Sequence, residues 1–436
     1  MLETFRSIFK IEELRKRIFL TFALLVVYRI GGHIPTPGVD GSIIANALAS
    51  QGTIFGLIDL FAGGNFAKAT IFAMGIMPYI SASIMLQLLG TVVPYLQRLQ
   101  REGEEGRRKI TQYTRYLTVL IAALQAWGTA GFLATLSFNG VQAVHMDHGP
   151  FIALTILTFT CGTIFIMWLG EQITERGIGN GTSLIIFIGI IARFPDAIIN
   201  EIQLLWVGTR SIFTEFIIIA LALMVIAAVV LITRAQRRIP VQYPKRVVGR
   251  RVFGGATTFL PLSVNAAGVI PIIFAQSIMI LPSTVAQLFP DTEWLQNLVS
   301  VGLAPGGFWY SLIYILIIIF FAYFYTAVVF NPTELADNMR KNGGYIPGIR
   351  PGKNTADYIE KVLTRITLPG ALFFAAIAVL PFLLIGSFNV QFFFGGTSIL
   401  IVVGVALDTL QQIESHLLMR HYDGFLKKGR IRGRSY

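Results

Sequence analysis

Residues 212–251 read IFTEFIIIALALMVIAAVVLITRAQRRIPVQYPKRVVGRR. Their first part, 212–233, holds a single charged residue, Glu215, in an otherwise apolar or small run. About 20 such residues in a helix cross the hydrocarbon core of a bilayer. From Arg234 the character reverses, and seven Lys and Arg fall within 234–261. Basic residues flanking a span mark its cytoplasmic end. The stretch therefore reads as a membrane helix that runs into a basic cytoplasmic loop.

The same alternation extends along all 436 residues. Apolar segments of spanning length fall at about 18–36, 69–92, 116–137, 151–170, 183–200, 212–233, 262–286, 308–330, 367–386 and 396–415. Of the 35 Lys and Arg, 31 lie in alternate gaps: the N-terminal arm, 93–115, 171–182, 234–261, 331–366 and the tail. The gaps 37–67, 138–150, 287–307 and 387–395 hold none; only Arg193 and Arg210 lie around the fifth such gap, and Arg29 and Lys68 complete the 35. Ten spans with both termini cytoplasmic satisfy this charge pattern. Composition agrees. The chain is 54% hydrophobic and 13% charged, where a soluble domain carries roughly 25% charged residues. A net charge of +12 would suggest nucleic acid in a soluble protein, but here topology accounts for it. The single Cys161 excludes an intramolecular disulfide and an all-cysteine metal site. The N-terminus, MLETFRSIFKIEELRKR, lacks a small-residue cleavage pattern and is not read as a cleaved signal peptide.

Enzyme signatures do not occur. There is no HExxH helix, no GxxxxGK[ST] loop and no GxSxG elbow. His33, His145, His148, His416 and His421 are scattered, and no cofactor or metal is expected. The run Gly177–Ile178–Gly179–Asn180–Gly181 follows no strand, so it reads as a tight reversal between helices, not a nucleotide loop. Ionisable residues within spans are sparse, with Arg29 in the first and Asp408 near the inner end of the last. That speaks against an ion-coupled carrier, the competing reading for five plus five spans in an inverted repeat. Arg29 is expected to be paired or to snorkel.

Other segments carry the shape of a function. Segment 50–68, SQGTIFGLIDLFAGGNFAK, is apolar but too short to span. It is either a helix on the outer surface or a re-entrant piece, and the second choice requires a cavity or protein around it. In TIFAMGIMPYISASIMLQ, residues 70–87, Pro78 is expected to interrupt a helix, and Ser81, Ser83 and Gln87 to form a polar stripe. Such stripes join membrane helices, or mark a seam that opens. Asn265 is expected to begin the seventh span, with Pro271 and Pro282 breaking it. Bases cluster at Arg237, Arg238, Lys245, Arg246, Arg250 and Arg251, and again at Arg340, Lys341, Arg350 and Lys353. Within the second cluster, YIPGIRPG (345–352) forms a stiff turn that presents Arg350 outward. Guanidinium groups so placed suit an RNA backbone or an acidic protein pocket.

Taken together these residues resemble the SecY family, the pore subunits of the bacterial protein-translocation channel. The resemblance is carried by 70–87, by WLGEQITERGIGNGTSLIIF (168–187), by QRRIPVQYPKRVVGRR (236–251) and by VNAAGVIP (264–271). It continues through FNPTELADN (330–338), YIPGIRPG (345–352) and FFGGTSILIVV (393–403). The fold it implies is all-α and polytopic: ten transmembrane helices in two pseudo-symmetric inverted halves, a clamshell around an hourglass pore. The halves would be 18–200 and 201–415, flanked by a cytoplasmic arm (1–17) and tail (416–436), with cytoplasmic loops 234–261 and 331–366.

The resemblance also implies roles. Ile76, Ile80, Ile186, Ile273 and Ile401 would form an apolar pore ring. Segment 52–67 would be a re-entrant plug helix, including Phe55, Leu57, Ile58, Leu60, Phe61, Gly63 and Gly64. Ser83, Gln87 and Asn265 would belong to a lateral gate toward lipid. The two basic loops, above all Arg350, together with Tyr422 would dock the SecA ATPase or the ribosome. The implied partners are SecE and SecG in a heterotrimer, SecA, the ribosome with its nascent chain, signal sequences, SecDF, YidC and membrane lipids. The implied site is the bacterial plasma (inner) membrane, and the implied role a passive conduit, not an enzyme.

Overall fold

The computed structural model describes residues 11–45, 59, 62–138, 141–208, 211–243, 246–248, 251–253, 257–265, 268–289, 292–304, 306–388 and 396–428. Helices dominate. In chain order they are α1 (Glu12–Gly31), α2 (Met77–Val92), α3 (Pro94–Arg101), α4 (Glu104–Thr135), α5 (His148–Arg176), α6 (Gly181–Ile191) and α7 (Phe194–Trp206). They continue as α8 (Ile212–Arg234), α9 (Ile270–Leu288), α10 (Glu293–Asn297), α11 (Phe308–Val329), α12 (Pro332–Lys341), α13 (Lys353–Phe388) and α14 (Gly396–Lys428). Six short strands interleave with them: β1 (Ser137–Phe138), β2 (Val141–Gln142), β3 (Gln236–Gln242), β4 (Arg246–Val248), β5 (Arg251–Phe253) and β6 (Thr257–Ser263).

Among the described residues, seven helices are long and apolar enough to cross a membrane, eight if the bent pair α2 and α3 is one span. They account for the expected spans from 69–92 through 212–233, and for the last three. The two others coincide with α1 and α9. In α1 charged residues occupy both ends, and in α9 the apolar helix covers only Ile270–Ala286. Two expectations about proline need correction. Pro78 does not interrupt a helix but sits in the first turn of α2, where its missing N–H costs nothing. Likewise Pro271 is the second residue of α9 and Asn265 precedes that helix, whereas Pro282 does lie inside it.

The chain divides into two compact units. One comprises Met1–Ile199, Ile280–Ser300 and Val405–Tyr436; the other comprises Asn200–Met279 and Val301–Gly404. In the first, α4 and α5 pack along their lengths. α4 buries the small residues Ala122, Ala126 and Ala130, and Gly162 of α5 leaves room for the Ile71 carbonyl of the segment before α2. Arg115 of α4 closes a fork on Glu171 of α5, with Nε–Oε1 at 2.9 Å and Nη2–Oε2 at 2.8 Å. The 177–181 turn is a tight reversal, with Gly179 at φ +88°. Its amides are held by side chains: Ile178 N–H donates to Thr21 Oγ1, Gly179 N–H to Gln412 Oε1 and Gly181 N–H to Thr174 Oγ1. These donors point at protein, not at an anion.

In the second unit α11 packs on α13, and Phe274 of α9 meets Phe321 and Tyr325 of α11 edge-on at 5.7 and 5.2 Å. The basic stretch after α8 is not an irregular loop. β3 and β6 form an antiparallel ribbon over Gln236↔Ser263 to Gln242↔Thr257, and β4 pairs β5 beyond it. The outward amide of Gln242 donates to Tyr345 O, away from β6, so the even-numbered positions of β3 face that outer edge. Pro240 is one of these. Its ladder relation to Phe259, two pairs from Arg238↔Pro261, puts Pro261 on the outer edge of β6.

Candidate functional site

Two places combine sequence-expected residues with defined geometry, one in each unit. The first is a platform built on the ribbon. Ile239 and Val241 of β3, Leu262 of β6, Met339 of α12, Ile346, and Ile359 and Leu363 of α13 form one buried apolar cluster. Each fully buried side chain of this size contributes about 1.5–3 kcal/mol. Asn331 caps α12 by accepting from Glu334 N–H at 3.4 Å, and Pro332 opens the helix with its φ already set.

The turn 345–352 is fastened to the ribbon by a reciprocal backbone pair. Gln242 N–H donates to Tyr345 O at 2.9 Å, and Tyr345 N–H donates to Gln242 O at 3.0 Å. A third bond, from Tyr345 Oη to Gln242 Oε1, measures 3.0 Å. Beyond it Gly348 and Gly352 adopt φ +82° and +105°, which only glycine accepts easily. Thr355 Oγ1 then donates to the Arg350 carbonyl at 3.0 Å. The backbone of Arg350 is thus held from both sides while its residue is exposed. Arg237 and Arg238 are exposed on β3. The backbones of Arg246 and Arg251 lie on β4 and β5, and Lys245 and Arg250 fall outside the described residues. Tyr422 lies within α14, and its side chain is likewise outside the description. Two loops that looked separate in sequence are one rigid, arginine-bearing surface.

The second place is the segment that leads into α2. Residues 63–76 are a succession of turns, not helix, with Gly63, Gly64 and Gly75 at positive φ. Ala62, Asn65, Phe66, Ala69, Phe72, Ala73 and Ile76 are all at most 3% exposed. Irregular backbone in a membrane protein persists where protein surrounds it. Here the surroundings are α4 and α5, whose Ala126, Ala130, Phe151 and Phe159 share its apolar cluster. Thr36 N–H donates to Ala69 O at 2.9 Å and Ile71 N–H to Ile34 O at 3.0 Å, tying the segment to the end of the first helix.

Polar side chains complete the attachment. Asp59, 3% exposed, pairs through Oδ2 with Arg193 Nη1 at 2.8 Å, and its Oδ1 accepts the Ala67 N–H at 2.8 Å. Tyr28 donates to Ala62 O at 3.4 Å and accepts from Asn65 Nδ2 at 3.3 Å. Arg29 donates to Gly63 O at 3.4 Å. Gly63 lies so near Gly189 of α6 that a Cβ on it would approach the Gly189 Cα to 2.7 Å. Of the residues expected to form a plug, Gly63 and Gly64 are described; Phe55, Leu57, Ile58, Leu60 and Phe61 fall outside the described residues.

The remaining expected residues are distributed over both units. Ile76 precedes α2, Ile80 lies in α2 and Ile186 in α6, all in the first unit and 1–2% exposed. Ile273 of α9 and Ile401 of α14, in the second, are 4% and 0% exposed. On α2 Gln87 Nε2 donates to Ser83 Oγ at 3.2 Å, one rung of the expected stripe, while Ser81 is buried. Asn265 borders a narrow cleft with Val264, Pro271, Ala322 and Phe374. Sequence reasoning missed Gln242, Asp59 and Tyr28. The alternation of Ile239 and Val241 with polar neighbours signalled a strand. A lone aspartate in an apolar stretch signalled a buried partner.

Comparison with known proteins agrees with this geometry. The family profile described as SecY matches residues 70–410. The chain is 47% identical to the protein translocase subunit SecY of Thermotoga maritima over 100% of both chains. It is 45% identical to that of Aquifex aeolicus (98% of this chain, 100% of the relative) and 47% identical to that of Escherichia coli K12 (97% and 96%). The fold matches a structure described as "The structure of a protein conducting channel" with a TM-score of 0.69 at 19% identity, covering 92% of each chain. It also matches a SecY structure concerned with the plug domain and the closed state, with a TM-score of 0.65 over 92% of each chain. A polytopic membrane chain with this fold, matched end to end by such relatives, belongs to the SecY family.

Proposed function

We propose that this chain is the central channel subunit of a protein translocase. It conducts unfolded polypeptides across the bacterial plasma membrane and releases apolar helices sideways into lipid. The observation that carries this reading is the match to SecY subunits at 45–47% identity over nearly the whole of each chain. The chain acts as a conduit, not a catalyst, and the driving force comes from a bound SecA ATPase or a translating ribosome. Both termini lie in the cytoplasm, as the basic loops require.

The roles divide over the described features. The platform of β3, β6 and the 345–352 turn receives the motor or the ribosome, with Arg350 as the leading contact. A rigid turn supports this, because a preordered arginine loses little freedom on binding. Ile76, Ile80, Ile186, Ile273 and Ile401 supply the constriction, since stiff β-branched side chains form a collar that excludes ions yet parts around an extended chain. Ser83, Gln87 and Asn265 serve the lateral gate for signal sequences. The segment ending at Gly63 and Gly64 serves as the plug. SecE and SecG complete the channel, and SecDF and YidC act with it.

The test is protease protection of a secretory precursor in proteoliposomes holding this chain with SecE and SecG. Protection that requires both SecA and ATP establishes the conduit. No protection by a folded, correctly oriented complex overturns it.

A further inference from the structure

We propose that the Asp59–Arg193 ion pair is a latch that keeps Asp59 and the segment 62–76 seated in the first unit, so that the closed channel depends on it. The proposal rests on the plug reading above and adds the residues that hold the plug down. Asp59 uses both oxygens, one on Arg193 and one on the Ala67 amide, while its own carbonyl accepts from Gly64 N–H at 2.9 Å. One side chain therefore fixes the start of the segment to its middle and both to the turn between α6 and α7. The other side-chain fastenings, Tyr28–Asn65 and Arg29–Gly63, are longer, at 3.3 and 3.4 Å, and the two backbone bonds to the loop after α1 hold only the later part, at Ala69 and Ile71. They align the segment; the ion pair restrains it.

The asymmetry of burial makes the latch testable. The Asp59 side chain is 5% exposed and that of Arg193 is 23% exposed. Removing the arginine leaves a carboxylate with little access to water and only the Ala67 amide as a partner, which is unfavourable in place. Removing the aspartate leaves a guanidinium on a side chain that is partly exposed, although the Nη1 that faced Asp59 is buried. R193Q is therefore more disruptive than D59N, and the seated state yields first. A second handle is steric. A Cβ at Gly189 would press on the Gly63 Cα at 3.1 Å, tighter than an ordinary contact, so G189A pushes the segment from one helical turn before Arg193 without replacing either member of the ion pair.

The measurement is halide efflux from proteoliposomes containing the complete translocase, with no motor added. The variants are R193Q, D59N, R193K, D59N/R193Q and G189A, beside a deletion of 54–64 that reports the plug itself. We expect R193Q to raise the basal leak about tenfold, D59N less, and R193K to stay near the parent because it keeps the charge. The double variant removes the stranded charge and leaks less than R193Q alone. G189A leaks more than the parent. If R193Q fails to fold, D59N/R193Q and G189A carry the test, and sealed membranes in both overturn the latch. A leaking deletion with sealed R193Q and D59N overturns the latch and leaves the plug reading standing. A sealed deletion removes the plug reading and the latch with it.

Discussion

The arginine platform and the segment before α2 are built on opposite terms. The platform is exposed, and regular backbone bonds hold it: a strand ladder and the reciprocal pair between Gln242 and Tyr345. The segment is buried and nearly without regular structure, and apart from two backbone bonds to the loop after α1 its fastenings come from side chains, led by Asp59 and Tyr28. Backbone ladders are indifferent to most substitutions, so the platform keeps its shape while its surface varies. Side-chain fastenings depend on single residues, so the segment is released by single events. A landing surface gains from the first property and a movable element from the second.

Substitutions break or sharpen this contrast, beginning with the largest expected effect. Ile359→Ala empties a fully buried position in the platform core and costs about 2–5 kcal/mol of local stability. Amide hydrogen exchange across 236–263 should accelerate together with that of 345–352; independent behaviour of the two would show that they are not one body. Arg350→Glu should lower SecA-driven export about tenfold or more, the equivalent of some 1.4 kcal/mol, while exchange in the ribbon stays unchanged. Normal export would remove Arg350 from the docking surface.

Tyr345→Phe deletes one of three bonds to Gln242 and should cost only about 0.5–1 kcal/mol, read as modestly faster exchange at the Gln242 amide. A collapse of the turn would mean that the side chain, not the backbone pair, holds it. The smallest effect belongs to the loop after α1. There Asp40 is held below the usual carboxylate range by hydrogen bonds from the Ser42 hydroxyl and amide. A lowered folded value stabilises above the unfolded one and is lost as pH falls through the folded one. Ser42→Ala should therefore differ slightly from the parent at neutral pH and converge with it on acidification, as thermal melts across pH would register.

Much of this was legible beforehand because bilayers impose a coarse grammar. Apolar length and the placement of lysine and arginine are global signals, and they located the long helices. The YIPGIRPG turn was legible because proline and glycine fix local backbone. What stayed hidden depends on pairs distant in sequence. Gln242 meets Tyr345 from another loop, and Asp59 meets Arg193 from another helix. No local pattern encodes such partners. The prolines were misplaced for a different reason: Pro78 and Pro271 were treated as breakers, although proline is equally a helix opener, and only the preceding backbone decides between the two.

The prolines of the ribbon lead further. An unpaired strand edge recruits any extended peptide that drifts by. Under the proposed function this ribbon stands beside a stream of unfolded chains, the molecules most eager to add themselves as another strand. Pro240 and Pro261 each delete a donor along an outer edge, and Tyr345 already occupies part of the β3 edge. A gateway for unfolded protein must not bind its own traffic, and here non-adhesion is written into the backbone, beyond the reach of side-chain chemistry.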